Sequence, residues 1–291
     1  MNKWGGGYGI DVLVPNKELV DIQVSFEQSF MSGRQNDLVP GTGAGLLTSM
    51  AFIDGKRRGP QNTYGFFISA ATVAGNNTPG EVNLKYTLNH CMISLAAVRN
   101  LWKRDPVTVD LFVGPSYAAF LQEYLFKTRG NEFSTTTETT SCTKEELNDY
   151  LFGGQIGIKG KMNIWKRFFL SLRQDFGFFA RHSRFYGTQD IVNAGGNPPS
   201  GGFGGLNTLI RTRDFDTDFA SRFTSNAALG YDFADWISIK VFYEFDMWLN
   251  LTHIDNIVVS SDLTRRGDNA TRIRGDDLHC NMIGGSAVIR F

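Results

Sequence analysis

The clearest pattern in this chain is a strict alternation of apolar and polar residues over positions 237–251. The odd positions are all apolar, and they are Ile237, Ile239, Val241, Tyr243, Phe245, Met247, Leu249 and Leu251. A period of two predicts a β-strand with one apolar face and one mostly polar face. Strands of soluble proteins are usually only about 5–6 residues long. This longer strand would span a hydrocarbon layer even when tilted.

The same period recurs along the chain and predicts nine strands, whereas no segment shows a convincing helical period. The strands cover about 7–14, 20–30, 82–98, 107–127, 148–159, 167–181, 217–231, 237–252 and 278–291. Over 90–93 the alternation slips by one position, which indicates a β-bulge. Segments 46–53 and 64–73 would add a hairpin and raise the count to eleven.

The connections between these strands alternate in length. Short ones lie at 15–18, 99–106, 160–166 and 232–235, and long polar ones cover about 31–45, 128–146, 182–216 and 253–276. Short turns on one rim and long loops on the other are typical of an outer-membrane β-barrel. Trp102, Trp165 and Trp236 lie in or beside the short turns. Because Trp prefers the membrane interface, they predict an aromatic girdle, the alternative being ordinary buried Trp of a soluble sheet.

The last strand ends on an aromatic residue, with Phe291, Ile289 and Ala287 on one face. This ending resembles the assembly signal of bacterial outer-membrane barrels. A bacterial barrel with both termini in the periplasm needs an even number of strands, and both nine and eleven are odd. We therefore expect one strand and any signal peptide upstream of residue 1, or a single strand from 46–74. The fold predicted for 1–291 is one all-β domain, an up-and-down antiparallel transmembrane barrel of about 10–12 strands with short periplasmic turns and long extracellular loops.

Composition alone suggests an ordinary soluble protein. The 291 residues include 29 basic residues (Lys and Arg together) and 29 acidic residues (Asp and Glu together). Their mean hydropathy is −0.20. A barrel produces the same averages, because its lipid-facing and water-facing residues alternate. The net charge of zero gives no reason to expect nucleic acid as a partner. Cys91, Cys142 and Cys280, without a CxxC pair, predict neither a disulfide framework nor a zinc site.

Several segments together resemble a known family of pore-forming barrels. They are the stretch from Val82 to Leu88 (VNLKYTL), the segment 107–126 with Val113-Gly114-Pro115, the stretch FGGQIGI over 152–158, Ala228-Leu229-Gly230-Tyr231, and VFYEFDMW over 241–248. In these patterns the chain resembles the Legionella-type major outer-membrane protein family over about residues 80–291. The resemblance implies a porin-like role with no catalytic residues to carry over.

On the barrel interpretation, the polar face lines the lumen. The predicted lining comprises Lys85, Lys159, Arg173, Arg181, Arg222, Lys240 and Arg290, together with Asp11, Asp21, Glu27, Asp110, Asp175, Glu244 and Asp246. A ring of one sign would favour ion selectivity, whereas this balance favours an ionic network around a narrow, weakly selective passage. The alternative is that these charges only fill and rigidify the interior.

No motif predicts catalysis, a metal or a cofactor. The Gly-rich stretch 195–205 lacks the context of a phosphate loop, and Ser183 beside His182 is the nearest approach to a nucleophile with a base. Adjacent residues on a strand point to opposite faces, which disfavours that pair. We therefore expect a non-enzymatic bacterial outer-membrane pore that contacts the lipid bilayer, lipopolysaccharide and the assembly machinery, with a homo-oligomer left open. The competing interpretations are an adhesin or structural barrel with a plugged lumen and, less well supported, a soluble β-sandwich.

Overall fold

The structure is a computed structural model that describes residues 3–15, 20–39, 46–48, 67–69, 80–131, 138–193, 207–234, 237–252, 258–261, 269–272 and 275–289. In chain order the strands are β1 (Lys3–Val14), β2 (Asp21–Val39), β3 (Leu46–Thr48), β4 (Phe67–Ser69), β5 (Gly80–Arg104), β6 (Val107–Asn131), β7 (Glu138–Trp165), β8 (Phe168–Asn193), β9 (Asn207–Ala234), β10 (Ile237–Thr252), β11 (Val258–Ser261), β12 (Asn269–Arg272) and β13 (Gly275–Ile289). None of the described residues is helical, and these ranges hold no helix long and apolar enough to cross a membrane.

Nine of these strands form one antiparallel sheet in the order β1-β2-β5-β6-β7-β8-β9-β10-β13. Each predicted strand corresponds to one of the nine, so the all-β, up-and-down antiparallel prediction is confirmed. Strands β3 and β4 pair only with each other, and so do β11 and β12. Of the additional hairpin predicted from 46–53 and 64–73, the described residues 46–48 and 67–69 form a two-stranded sheet that is not part of the main one, and the remaining positions lie outside the described residues.

The sheet curls into a half-barrel. Contacts between strands that are far apart in the sheet require this curl: Glu27 of β2 pairs with Arg222 of β9, although four strands lie between them. The side that carries these contacts is the inner, concave face. The sheet ends at β1 and β13, which run in the same direction because directions alternate over nine strands.

Several strands are longer than the sequence pattern predicts. Strands β7 and β9 each have 28 residues, and β8 has 26. The expectation of long irregular loops is wrong for 31–39, 128–131, 138–146, 182–193 and 207–216, because residues there continue the ladders; Thr143 pairs with Gln189, for example. The short turns are tighter than predicted, with Asp105-Pro106 joining β5 to β6 and Lys166-Arg167 joining β7 to β8.

The outer face carries an apolar belt near the short-turn rim, the rim at which those two turns lie. On β8 the belt runs through Phe168, Leu172, Phe176 and Phe178, each at least 40% exposed. Neighbouring strands continue it with Ile93, Leu95, Val113, Phe152, Ile156, Ile158, Phe219, Leu229, Ile239, Val241 and Tyr243. Monomeric soluble proteins rarely expose a continuous apolar surface of this size.

Beyond the belt, toward the long-connection rim, the outer face becomes polar. On β8, Phe178 and Ala180 are followed on the same face by His182 and Arg184. On β7 the same face carries Asn148, Glu146 and Lys144. The apolar core lies on the inner face and includes Tyr86, Leu88, Met92, Ala118, Phe120, Leu147, Leu151, Phe179, Phe185, Ala220, Trp248 and Leu251.

Register shifts occur where the sequence did not predict them. The expected bulge at 90–93 is wrong, because β5 pairs with β2 and β6 in unbroken register there. Shifts occur instead between Asn100 and Trp102, between Asn163 and Trp165, and between Trp248 and Leu251. Each shift moves the following residues to the opposite face of the sheet.

The last of these shifts places Leu251 in the core. Asn250 has a φ of 57°, a left-handed conformation that Asn tolerates better than most residues. Leu251, which the alternation assigns to the outer face, is consequently 2% exposed on the inner face.

Close strand approach at Gly153 gives a testable prediction. A Cβ built at Gly153 would collide with the carbonyl oxygen of Phe178, whereas a Cβ at Gly154 meets nothing closer than the carbonyl oxygen of Gly114 at 3.3 Å. We expect Gly153→Ala to lower the free energy of unfolding by about 1–3 kcal/mol, as overpacking does. Gly154→Ala should change it little. Urea titration of the refolded proteins measures both, and equal stabilities would contradict the packing described.

Candidate pore interior

Most of the predicted lining residues lie on the inner face. Those described there are Asp11, Asp21, Glu27, Asp110, Lys159, Arg173, Asp175, Arg181, Arg222, Lys240, Glu244 and Asp246. Arg290, Phe291 and Trp236 lie outside the described residues. Ile289 is described only as the last residue of β13, where Ala287 occupies the outer face.

Lys85 corrects the predicted lining. It is exposed on the outer face, where it alternates with the buried inner residues Tyr86 and Leu88. The local alternation over 82–88 assigned its polar positions, including Lys85, to the inner face. The inner face at this level is instead part of the apolar core, so the polar residue points outward.

Arg222 is the centre of an ionic network that crosses the concave face. Its Nε donates to Asp246 Oδ1 at 2.7 Å, and its Nη2 lies 3.2 Å from Glu27 Oε2. Nη1 approaches Met92 Sδ at 2.7 Å. The guanidinium side chain is 3% exposed, so its charge is neutralised by two carboxylates rather than by solvent. Strands β2, β5, β9 and β10 are thereby connected through the interior.

Trp248 lies directly beside this network and is 1% exposed. Its Nε1 donates to Asp246 Oδ2 at 2.9 Å. Its ring packs edge-on against Phe120 at 5.0 Å and against His90 at 5.8 Å, and it is tilted against Phe179 at 5.3 Å. Aromatic rings from β5, β6, β8 and β10 therefore meet in one layer. Sequence reasoning missed this layer because Trp248 occupies a position of the predicted polar face.

A second charged region lies between the Trp248 layer and the short-turn rim. Arg173 Nε donates to Asp175 Oδ2 at 2.9 Å, and the Arg173 guanidinium stacks on Phe112 at 4.8 Å. Glu244 accepts a hydrogen bond from Asn226 Nδ2 at 2.9 Å. Positive and negative side chains are thus interspersed on this part of the inner face. Arg173 and Asp175 are two positions apart on β8, and Asn226 lies opposite Glu244 on the neighbouring strand.

Buried polar atoms also face this interior. Ser116 Oγ, Gln155 Oε1 and Asp175 Oδ1 are buried and have no hydrogen-bond partner within the described part of the chain. Buried polar atoms are normally paired with protein or ordered water. Their positions on adjacent strands β6, β7 and β8 make this stretch of wall suited to bound water.

The pair Ser183 and His182 is split between the faces. Ser183 Oγ lies inside at 3.0 Å from Thr252 Oγ1, while His182 Nδ1 lies 3.2 Å from Thr217 Oγ1 on the outer face. Asp149 Oδ2 accepts a hydrogen bond from the Thr252 amide at 3.2 Å. Ser183, Asp149 and Thr252 thus connect β7 and β8 to the bulged end of β10, and their contacts stabilise the fold.

The two described girdle residues lie on the outer face at the short-turn rim. Trp102 is 49% exposed with the Arg104 guanidinium 4.8 Å from its ring centroid. Trp165 is 64% exposed, stacks on Phe168 at 6.3 Å and has Lys166 Nζ 5.1 Å from its ring. Both rings reach the outer face because a bulge precedes each of them.

Polar contacts of the outer face lie beyond the belt. Lys144 Nζ lies 2.5 Å from Glu146 Oε1 and 3.9 Å from Glu123 Oε1. The hydrogen bond to Glu146 raises the pKa of Lys144. The pair is exposed and therefore contributes little to stability.

Among the described residues, no group of three His, Cys, Asp or Glu side chains could hold a metal ion, and the three cysteines are free. No protein-family model matches this chain, and no curated protein or solved structure matches it either.

Proposed function

We propose that this chain forms an outer-membrane β-barrel of a Gram-negative bacterium and acts as a small, weakly selective passive diffusion pore for ions and small solutes. The observation that carries the proposal is the opposition of the two faces. The same strands present an apolar belt outward and interspersed charges inward. Lipid outside and water inside would explain this arrangement, because the apolar face would contact lipid and the charged face would contact water.

The dimensions of the belt support a membrane-spanning role. The belt positions of β8 run from Phe168 to Phe178. Ten steps of about 3.3 Å give roughly 33 Å along the strand, or about 25 Å for a tilt near 40°, which is the height of the apolar band of outer-membrane barrels. Trp102 and Trp165 lie at one edge of the belt, where an interfacial girdle is expected.

Strand direction determines how the half-barrel could close. Strands β1 and β13 run the same way, so they do not pair antiparallel with each other. One strand of opposite direction between them would pair with both and complete a ten-stranded antiparallel barrel. A barrel of about ten to twelve strands is narrow beside the 16–18 strands of general porins, so a small passage is expected.

The surroundings of such a barrel belong to the same proposal. The outer belt would contact the lipid bilayer and, at the outward rim, lipopolysaccharide, and the ending Ala287, Ile289 and Phe291 would serve recognition by the assembly machinery. Membership of the Legionella-type major outer-membrane protein family, which the sequence patterns suggest, is itself part of the proposal, and no catalytic step or cofactor is.

A structural or adhesive barrel is the second candidate, and one observation favours it. Trp248, Phe120 and Phe179 fill the concave face at one level, as a plugged lumen requires. In that case the strands that extend beyond the belt and their connections would carry the function.

Electrical recording from the refolded full chain in a planar lipid bilayer separates the two candidates. We expect stepwise channel openings with a reversal potential close to zero in a salt gradient, because both signs of charge line the interior. Heat-modifiable migration in detergent gels checks folding beforehand. A folded, inserted protein without openings would favour the plugged barrel and contradict the pore.

A further inference from the structure

The strongest unexplained feature of the interior is the layer in which Trp248 and Arg222 meet. The guanidinium lies 5.2 Å from the Trp248 ring centroid. Both side chains are bound to the same carboxylate, Asp246, through Arg222 Nε at 2.7 Å and Trp248 Nε1 at 2.9 Å. A single carboxylate thus holds a large ring and a cation in fixed relative positions.

This layer reaches across the concave face instead of lining one wall. From β9 and β10 the two side chains extend to Glu27 of β2 and to His90 and Met92 of β5. Phe120 and Phe179 close the remaining sides from β6 and β8. Met92 pairs with Ala118 of β6 at this level, and small inner residues, Ser94, Ser116 and Ala96, follow on these two strands toward the short-turn rim.

The layer also divides the interior by chemistry. Toward the long-connection rim the inner face is mainly apolar, with Leu88, Leu147, Leu151 and Phe185 in the core, and its buried charged residues are Arg181, Asp149 and Glu145. Toward the short-turn rim it is charged, with Arg173, Asp175, Lys240 and Glu244. An ion or solute moving along the interior would meet the barrier between the charged region and the mainly apolar one.

We propose that the Trp248–Arg222 layer is the constriction of the pore, and that it sets the size of the solute that passes. This inference rests on the proposed pore function. Trp248 supplies the steric barrier, and Asp246 is the positioning residue that holds the ring in the passage. Arg222 supplies a fixed positive charge beside the ring, and its two carboxylate partners, Glu27 and Asp246, bring the local charge to −1.

Removal of the ring tests the constriction. In planar bilayers we expect Trp248→Ala to raise the single-channel conductance several-fold and to admit a larger uncharged sugar in a liposome-swelling assay. Phe179→Ala, which removes another ring of the same layer, should act in the same direction and serves if the first variant fails to fold. Phe178→Ala is the matched control, because Phe178 is 54% exposed on the outer face and should leave conductance unchanged.

The outcomes separate this inference from the pore itself. A wild-type protein that folds, inserts and does not conduct, while Trp248→Ala conducts, would support the layer as a closed barrier and contradict an open wild-type pore. If neither the wild type nor Trp248→Ala conducts, the proposed pore function is contradicted. If wild type, Trp248→Ala, Phe179→Ala and Phe178→Ala are all folded and conduct alike, the pore stands and the constriction is overturned.

Discussion

The Phe176→Arg variant should lose about 1–3 kcal/mol of unfolding free energy in lipid vesicles, because a guanidinium on the outer face of a barrel costs about 2–4 kcal/mol at the bilayer midplane and less toward the interface. Phe176 is 50% exposed in the belt on β8. Its ring is tilted against Phe223 of β9 at 5.0 Å and forms no contact with the interior in the described structure. The loss therefore reports the medium that surrounds the belt. Urea titration of protein refolded into phosphatidylcholine vesicles measures it.

Phe215→Arg is the matched control for this variant. Phe215 is also on the outer face and is 64% exposed, but it pairs with Arg184 at a level where that face is already charged. Near or beyond the interface the same substitution costs about 0–1 kcal/mol. Two equal losses would show that depth in a membrane plays no part. A wild-type protein that stays monomeric in buffer without detergent or lipid would contradict the membrane assignment altogether.

The nine strands were predictable because each places an apolar face outward near the short-turn rim and a mostly polar face inward at the same level. This constraint acts residue by residue along a strand, and it produces the period over 237–251 whatever the neighbouring strands are. The extended ends of β7, β8 and β9 lie beyond the belt, where both faces carry polar residues and the period weakens. Pairing such as Thr143 with Gln189 depends on the partner strand, which local sequence does not specify.

The assignment of faces failed where the interior itself is apolar. Tyr86, Leu88 and Met92 point inward because they pack against rings and aliphatic side chains from distant strands. A single strand contains no information about that packing. The result was an apparent slip at 90–93 and a wrong placement of Lys85.

Only the charged residues of the constriction layer could be identified from the sequence. Arg222, Glu27 and Asp246 were identified by their charge, but their mutual contact depends on the curl of the sheet, which brings β2 to β9. Trp248 appeared as an exception on the polar face. A large aromatic residue at a position of the predicted polar face was the signal in the sequence that could have identified the layer.

Neutralising Arg222 should make the pore cation-selective. Arg222→Gln leaves Glu27 and Asp246 without their shared cation, so the local charge changes from −1 to −2. One elementary charge acts on an ion about 4 Å away with roughly 1 kcal/mol in a water-like medium, which corresponds to about a fivefold preference. We expect the ratio of potassium to chloride permeability to rise by about that factor, as measured by the reversal potential in a salt gradient.

Two companion variants make this result specific to the constriction. Arg222→Lys keeps the charge and should keep the selectivity, which separates charge from any loss of stability, since an unpaired buried carboxylate destabilises the fold by about 3–5 kcal/mol. Lys85→Gln removes one positive charge from the outer face and should leave the reversal potential unchanged. If Lys85→Gln shifts the selectivity as much as Arg222→Gln does, the inward and outward faces of β5 have been assigned the wrong way round. The two glutamine variants thus test, in one measurement, which of the two cations faces the passage.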